Sequence, residues 1–283
     1  MITWPASLKR ELAQRRCILF LGAGVSASAK AADGTSPKTW AKFLTTACGK
    51  ILDADLHSKI VSLIDDRRYL LALQAIYSNA NPGDYHELID ENFLAPQFKA
   101  GSLHDAIYRL DQRIVITTNF DKIYETYCLS TSSEGYKVIS YDSQSFADEL
   151  RSDTRLIIKA HGSIDSYQDM IFTREQYRRA KKEHSSFYEM LRSLFRIYTT
   201  VFIGCGMEDP DVMLMLEDIA LVGSGRRPHY ALIKEGLHDS FVVRDWDESY
   251  NVQAIEYGPC HESLVDDLES LFAEVDELRK RQT

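Results

Sequence analysis

Apolar residues in this chain follow two rhythms. The first is a series of short stretches built on apolar residues: Cys17-Ile-Leu-Phe-Leu21, Arg113-Ile-Val-Ile-Thr117, Lys137-Val-Ile-Ser140, Leu156-Ile-Ile-Lys159, Thr200-Val-Phe-Ile203, His229-Tyr-Ala-Leu-Ile233 and Val252-Gln-Ala-Ile255. All read as strands; the five apolar residues in a row from Cys17 to Leu21 suit one buried on both faces, and 113–117 is a second buried strand. The second rhythm has apolar positions three and four residues apart, the mark of helices with one buried face. It predicts a short helix over 6–15, entered through Pro5, and another from about Thr39 with Trp40, Phe43 and Leu44 on one face. Ile60, Leu63, Ile64, Leu70, Leu73 and Ile76 continue it through an all-helical stretch over about 52–112, in which Asn81-Pro82-Gly83-Asp84 is a turn and Asp84 an N-cap. Helices are further expected over 122–128, over 174–198 as one long element (Phe187, Leu191, Leu194 and Phe195 its stripe), from about Asp211, and over 264–278. Strand and helix alternate, which predicts an α/β fold: one Rossmann-like, doubly wound parallel sheet spanning residues 1–283 as a single domain, with the 52–112 helices inserted between its first two strands. The chain contains no internal repeat and no low-complexity segment.

In an open parallel sheet, ligands lie outside the carboxyl ends of the strands. Four of the predicted strands run into polar or glycine-rich clusters there: Gly22–Ser26, Thr117–Asp121, His161–Ser163 and Gly204–Pro210. The first, Gly22-Ala23-Gly24-Val25-Ser26-Ala27, has the spacing G-x-G-x-x-A. Gly22 would permit a tight turn, Gly24 a close backbone approach to a diphosphate, and the following helix would aim its unpaired N–H groups at that anion. Any one cluster is equally a loop that caps the next helix, and Asp121 or Asp211 alone reads as an N-cap. Four on one edge point to a ligand site. The acidic residue that an ordinary dinucleotide fold carries about 20 residues after its glycines is displaced by the helical insertion.

Composition narrows the classes. Hydrophobic residues make up 45% and charged residues 27%, a balance that supports a folded core. A net charge of −9 argues against direct nucleic-acid binding, which needs a basic face. The one basic run, Arg174, Arg178, Arg179, Lys181 and Lys182, is interrupted by Glu175 and Glu183 and reads as a solvated helix face. No apolar run approaches the roughly 20 residues of a membrane span, and the N-terminus lacks a signal pattern. The five cysteines, Cys17, Cys48, Cys128, Cys205 and Cys260, form no C-x-x-C pair, and the histidines show no ligand spacing, so no metal is expected and a cytoplasmic compartment is.

Gly22-Ala23-Gly24-Val25-Ser26, Thr118-Asn119-Phe120-Asp121 and Ala160-His161-Gly162, in that order, resemble the sirtuin family, whose members carry a Gly-Ala-Gly-x-Ser loop, a Thr-Gln-Asn-x-Asp motif and a catalytic His-Gly. The departures matter. The deacetylases' four zinc cysteines are missing, their Gln is Thr118 here, and their Ile-Pro-Asp-Phe-Arg loop reads Asp33-Gly34-Thr35-Ser36-Pro37. Gly204-Cys205-Gly206-Met207-Glu208-Asp209-Pro210-Asp211 stands where deacetylases have Gly-Thr-Ser, and it is similar to sirtuin-like domains of bacterial antiphage systems, with a helical insertion in place of the zinc module. That resemblance implies an effector that hydrolyses NAD+ to ADP-ribose and nicotinamide. It implies NAD as substrate, with Asn119 and His161 catalytic, and Gly22, Ala23, Gly24, Ser26, Thr118, Asp121, Gly204, Cys205 and Gly206 around the dinucleotide. Asn119 would hold the attacking water or a ribose hydroxyl, and His161 would take a proton. Ser26 and the 22–25 backbone would take the diphosphate, and the 204–206 backbone the adenine ribose, with Glu208 or Asp209 for its hydroxyls. Asp121 either orients a neighbour or caps the next helix. A homo-oligomer or a regulatory protein would gate so toxic an activity. The rival readings are a sensor that binds NAD or ADP-ribose without catalysis, and an NAD-dependent deacylase or ADP-ribosyltransferase.

Overall fold

The computed structural model describes residues 2–66, 68–94, 97–133, 135–207, 213, 216 and 227–281. Its strands are β1 (Cys17–Leu21), β2 (Ile114–Thr117), β3 (Tyr136–Ser140), β4 (Arg155–Lys159), β5 (Thr199–Ile203), β6 (His229–Lys234) and β7 (Val252–Tyr257). They form one sheet in the order β3-β4-β2-β1-β5-β6-β7, and every neighbouring pair is parallel. β1, β2 and β5 are buried at every position, as strands covered by helices on both faces must be, whereas the edge strands β3 and β7 mix buried with exposed positions. The chain leaves β1 toward β2 and later returns to lay β5 on the other flank of β1, so the order reverses between β1 and β5. A crevice opens at such a reversal.

Alternate residues of β1 feed the two faces. Ile18 and Phe20 join α10 (Arg174–Glu183) and α11 (Ser185–Ile197), together with Phe146 of α9 (Phe146–Arg151) and Trp246 of α12 (Ser240–Tyr250). Cys17, Leu19 and Leu21 join α1 (Ala6–Ala13), α7 (Ser102–Arg109), α8 (Ile123–Thr131) and α13 (Ser263–Lys280). A third cluster is built from α3 (Trp40–Cys48), α4 (Ala54–Asp65), α5 (Tyr69–Asn79) and α6 (Pro82–Ile89), closing on Phe120, Ile164, Met170 and Phe172 from the loops after β2 and β4. The helical module thereby sits over the carboxyl edge of the sheet. Within the 52–112 stretch α7 packs differently from its neighbours, against α13 and the sheet, while α3 joins the module.

Three local expectations change. The 174–198 helix is two helices that break at His184, whose φ of −119° and ψ of 40° are not helical. Asp84 is not an N-cap: α6 starts at Pro82 behind Asn81, and Asp84 lies in its first turn. Helices α9 and α12 are additional. The helix expected from Asp211 lies outside the described residues, apart from Met213 and the buried Leu216. Among the described residues no helix is long and apolar enough to cross a membrane, and the basic run on α10 is exposed.

Candidate functional site

At the reversal point two loops meet backbone to backbone. The Gly22 N–H donates to Ile203 O at 3.0 Å and the Gly24 N–H to Gly204 O at 2.9 Å. Gly204 has φ +66°, and a Cβ there would stand 2.6 Å from the Val25 nitrogen. Contact between the β1 and β5 loops therefore demands glycine before any ligand is considered. The short helix α2 (Ala23–Ala27) follows at once. Cys205 fills the space beneath, its thiol donating to Phe20 O at 3.6 Å and Ile203 O at 3.7 Å. Its thiol acts as a small filler against β1.

The end of β2 is stitched to that loop. The Thr117 hydroxyl donates to Leu21 O at 2.9 Å and accepts from the Asn119 N–H at 3.0 Å. The Asn119 amide nitrogen then donates to Gly22 O and to Ser26 Oγ, both at 2.9 Å. Ser26 in turn donates to Asp121 Oδ2 at 2.6 Å, while Asp121 Oδ1 accepts from the Ile123 N–H at 3.0 Å. Asp121 thus does both things open to it: from one residue outside the N-cap Lys122 it takes the first N–H of α8, and it orients Ser26. With both amide hydrogens of Asn119 engaged, its Oδ1 is the end left for a ligand. The Ser26 proton is engaged as well, on a carboxylate rather than on a free face toward a diphosphate.

The end of β4 brings His161. Its carbonyl accepts from Ile171 N at 2.9 Å, and Gly162, at φ +84°, turns the chain where a Cβ would strike the Asp169 carbonyl. His161 lines a cavity of about 250 Å³ together with Gly22, Ala23, Ser26, Thr118, Asn119, Asp121, Gly204, Cys205 and Gly206. Gly24 is not among the lining residues; it packs on Gly204. At Gly206 an added Cβ would meet nothing within 4 Å, so the backbone there leaves room for a ligand. Glu208 and Asp209 lie outside the described residues.

Sequence reasoning missed the roof. Phe43, Tyr69, Leu73 and Phe93 of the helical module line the same cavity with Phe120 and Phe172, whose rings stack at 4.1 Å between centroids. Helical spacing marked Phe43 and Leu73 only as core, and nothing in the sequence singled out Tyr69, Phe93 or Phe172. It also missed Lys159, 1% exposed at the end of β4, where the signal was a lysine closing an apolar run two residues before His161. Two other histidines are core residues: His104 accepts from the Gly101 N–H at 3.2 Å and His229 from the Thr200 N–H at 3.0 Å, and burial pushes each down to about 4. Among the described residues no cluster of three His, Cys, Asp or Glu side chains forms a metal-binding group.

This arrangement has relatives. The chain is 25% identical over 248 residues to the NAD(+) hydrolase ThsA of Enterococcus faecium, covering 84% of this chain and 47% of that protein. It is 21% identical over 252 residues to the NAD(+) hydrolase ThsA of Cytobacillus dafuensis, with 87% and 47% covered. To defense-associated sirtuin 2 of Bacillus subtilis it is 22% identical over 177 residues, 62% of this chain and 16% of that one. The chain thus spans about half the length of the ThsA relatives and a smaller share of the third. The family model of the SIR2-like domain matches residues 113–255, half of the chain and the segment from β2 to β7 that supplies Asn119, His161 and the Gly204 loop. The chain belongs to the SIR2-like domain family.

Proposed function

We propose that the chain is an NAD+ glycohydrolase that acts as an effector of antiphage defence. The observation that carries the reading is the fixed orientation of Asn119 in a cavity that His161 also lines. The names of the ThsA and defence-associated relatives support it at family level.

In the reaction NAD+ and water give ADP-ribose, nicotinamide and a proton. The C1′–N bond breaks and its electron pair neutralises the pyridinium, so nicotinamide leaves uncharged and needs no general acid. What the site must supply is an acceptor for water, a place for its proton and a field that suits a cationic ribose. Asn119 holds its amide hydrogens toward Gly22 O and Ser26, with the Asp121 carboxylate behind them, so the negative end of its dipole is left for the ribose and the water. His161 takes the proton as water bonds to C1′. The aromatic roof lines one side of the cavity with apolar surface, which disfavours additional water there. A volume of about 250 Å³ is at or below the small end of ligand pockets, which suits the nicotinamide riboside half, the adenosine half running along Gly204–Gly206. Unrestrained loss of NAD would harm the producing cell, so the reading includes a gate, either self-assembly or a regulatory protein.

Purified protein incubated with NAD+ is expected to release ADP-ribose and nicotinamide. His161→Ala and Asn119→Ala are expected to lower turnover at least about 100-fold while ADP-ribose affinity stays within about threefold. NAD+ that binds and is never cleaved, by the protein alone or assembled with its partners, would instead mark a sensor.

A further inference from the structure

Lys159 is the last residue of β4 and 1% exposed, and it does not line the cavity. Its ammonium donates to the Asp121 carbonyl, lies 3.4 Å from the Phe120 carbonyl, and pairs at 3.2 Å with Glu125 Oε2 on α8, itself buried. Burial pushes the Glu125 carboxyl up and the Lys159 charge draws it back. A buried pair of this kind seldom repays its desolvation in stability, and apolar residues of similar volume often replace it without loss. Its partners explain its presence better than stability does. The ammonium sits between the strand end that carries His161 and the loop Asn119-Phe120-Asp121. The Phe120 carbonyl it approaches also accepts the Ile164 N–H at 3.0 Å, from the loop after His161.

Resting on the hydrolase reading, we propose that Lys159, with Glu125 as its counter-charge, is a positioning residue: it sets the Asn119 loop in register with His161. A merely structural role predicts that activity follows stability. A positioning role predicts that they separate. The separating variant is Lys159→Met/Glu125→Leu, which removes both charges and keeps the volume but cannot donate to the two carbonyls. It is expected to melt within a few degrees of the wild type and bind ADP-ribose within about threefold. Its NAD+ turnover is expected to fall about 100-fold with KM little changed, and hydrogen exchange of the peptide covering 118–123 to quicken at least tenfold. Wild-type exchange in that peptide overturns the proposal, as does wild-type turnover. The exchange arm reads loop position without reference to catalysis, so a wild-type protein that cleaves no NAD+ counts against the hydrolase reading alone. Lys159→Arg keeps a positive charge opposite Glu125 but spreads it over a planar fork in place of a compact ammonium, so the two carbonyls can no longer be held at one point. Full turnover with wild-type exchange in that variant likewise overturns the proposal.

Discussion

Ser26 stands at the centre of the residue-scale argument because two roles for it predict different kinetics. Its hydroxyl donates to Asp121 and accepts from Asn119, so it links a carboxylate to the Asn119 amide. A diphosphate ligand role would place its effect in KM. A link would place it in kcat. A hydrogen bond to a charged partner contributes about 1.5–3 kcal/mol, which corresponds to roughly ten- to hundredfold in rate. Ser26→Ala is therefore expected to lower kcat by about that factor, with KM for NAD+ changed less than threefold, in steady-state assays. A raised KM with unchanged kcat would return Ser26 to the diphosphate. The sequence marked Ser26, Asn119 and Asp121 separately, because strand ends and glycine spacing are local signals. Their connection depends on β1 and β2 lying side by side, with Leu21 opposite Thr117, and no local pattern encodes that register.

At the scale of elements, the reversal between β1 and β5 rests on the fit of two loops. Gly204→Ala would force an L side chain into φ +66° and drive its Cβ against the Val25 nitrogen and the Gly24 backbone. The left-handed conformation costs about 1–2 kcal/mol and the overlap adds about 1–3. Thermal unfolding is expected to shift down by several degrees, at about 2–4 °C per kcal/mol. Gly206→Ala, with open space around it, is expected to melt within about 1–2 °C of the wild type. Equal shifts in the two variants would show that the loop contact is not what requires glycine. The central strands β1, β2 and β5 were legible because burial on both faces leaves mainly apolar runs, and the edge strands β3 and β7 because even their half-exposed sequences keep short apolar stretches. The helices were less so, for identifiable reasons. Tyr177, Ala180, Phe187, Tyr188 and Leu191 keep a three- and four-residue rhythm across His184, and neither Gly nor Pro announces the break between α10 and α11. In α12 Val243, Trp246 and Tyr250 do recur at three- and four-residue steps and pack on the core, but only Trp246 is fully buried and acidic residues lie between them, so the signal was weak. The packing of α7 on the sheet rather than on the module depends on α13, more than 150 residues later in the chain.

At the scale of the whole molecule, the two edges of the sheet divide the work. The carboxyl edge carries the cavity, and the amino edge carries a clasp centred on Asp111, just before β2. Arg15, in the connection from α1 to β1, donates to Asp111 Oδ2 at 2.6 and 3.0 Å, and Arg155 at the start of β4 donates to Oδ1. Arg279, near the end of α13, lies 3.8 Å from the same carboxylate and donates to Leu12 O at 3.1 Å and Leu110 O at 2.9 Å. The first helix, the last helix and the sheet edge are thus held at one point. Burial alone would raise the Asp111 carboxyl, but the hydrogen bonds and charges of Arg15 and Arg155 outweigh it and hold it below its ordinary value. The sign follows: a carboxyl depressed in the folded state adds stability above its unfolded value of about 3.9, and this is lost as pH falls through the folded value. Since Arg15 is half exposed, solvent screens its share, and the clasp is expected to contribute about 1–2 kcal/mol at pH 7. Asp111→Asn should therefore unfold at lower urea than the wild type at pH 7, with the gap narrowing steadily below about pH 4 and closing in acid as the wild-type carboxyl protonates. Its NAD+ turnover per folded molecule should equal that of the wild type, because nothing in the clasp reaches the carboxyl edge. A gap that stays constant from neutral to acid would mean that the carboxylate charge is not what holds the three segments together, and a fall in turnover would mean that the two edges are coupled through the sheet.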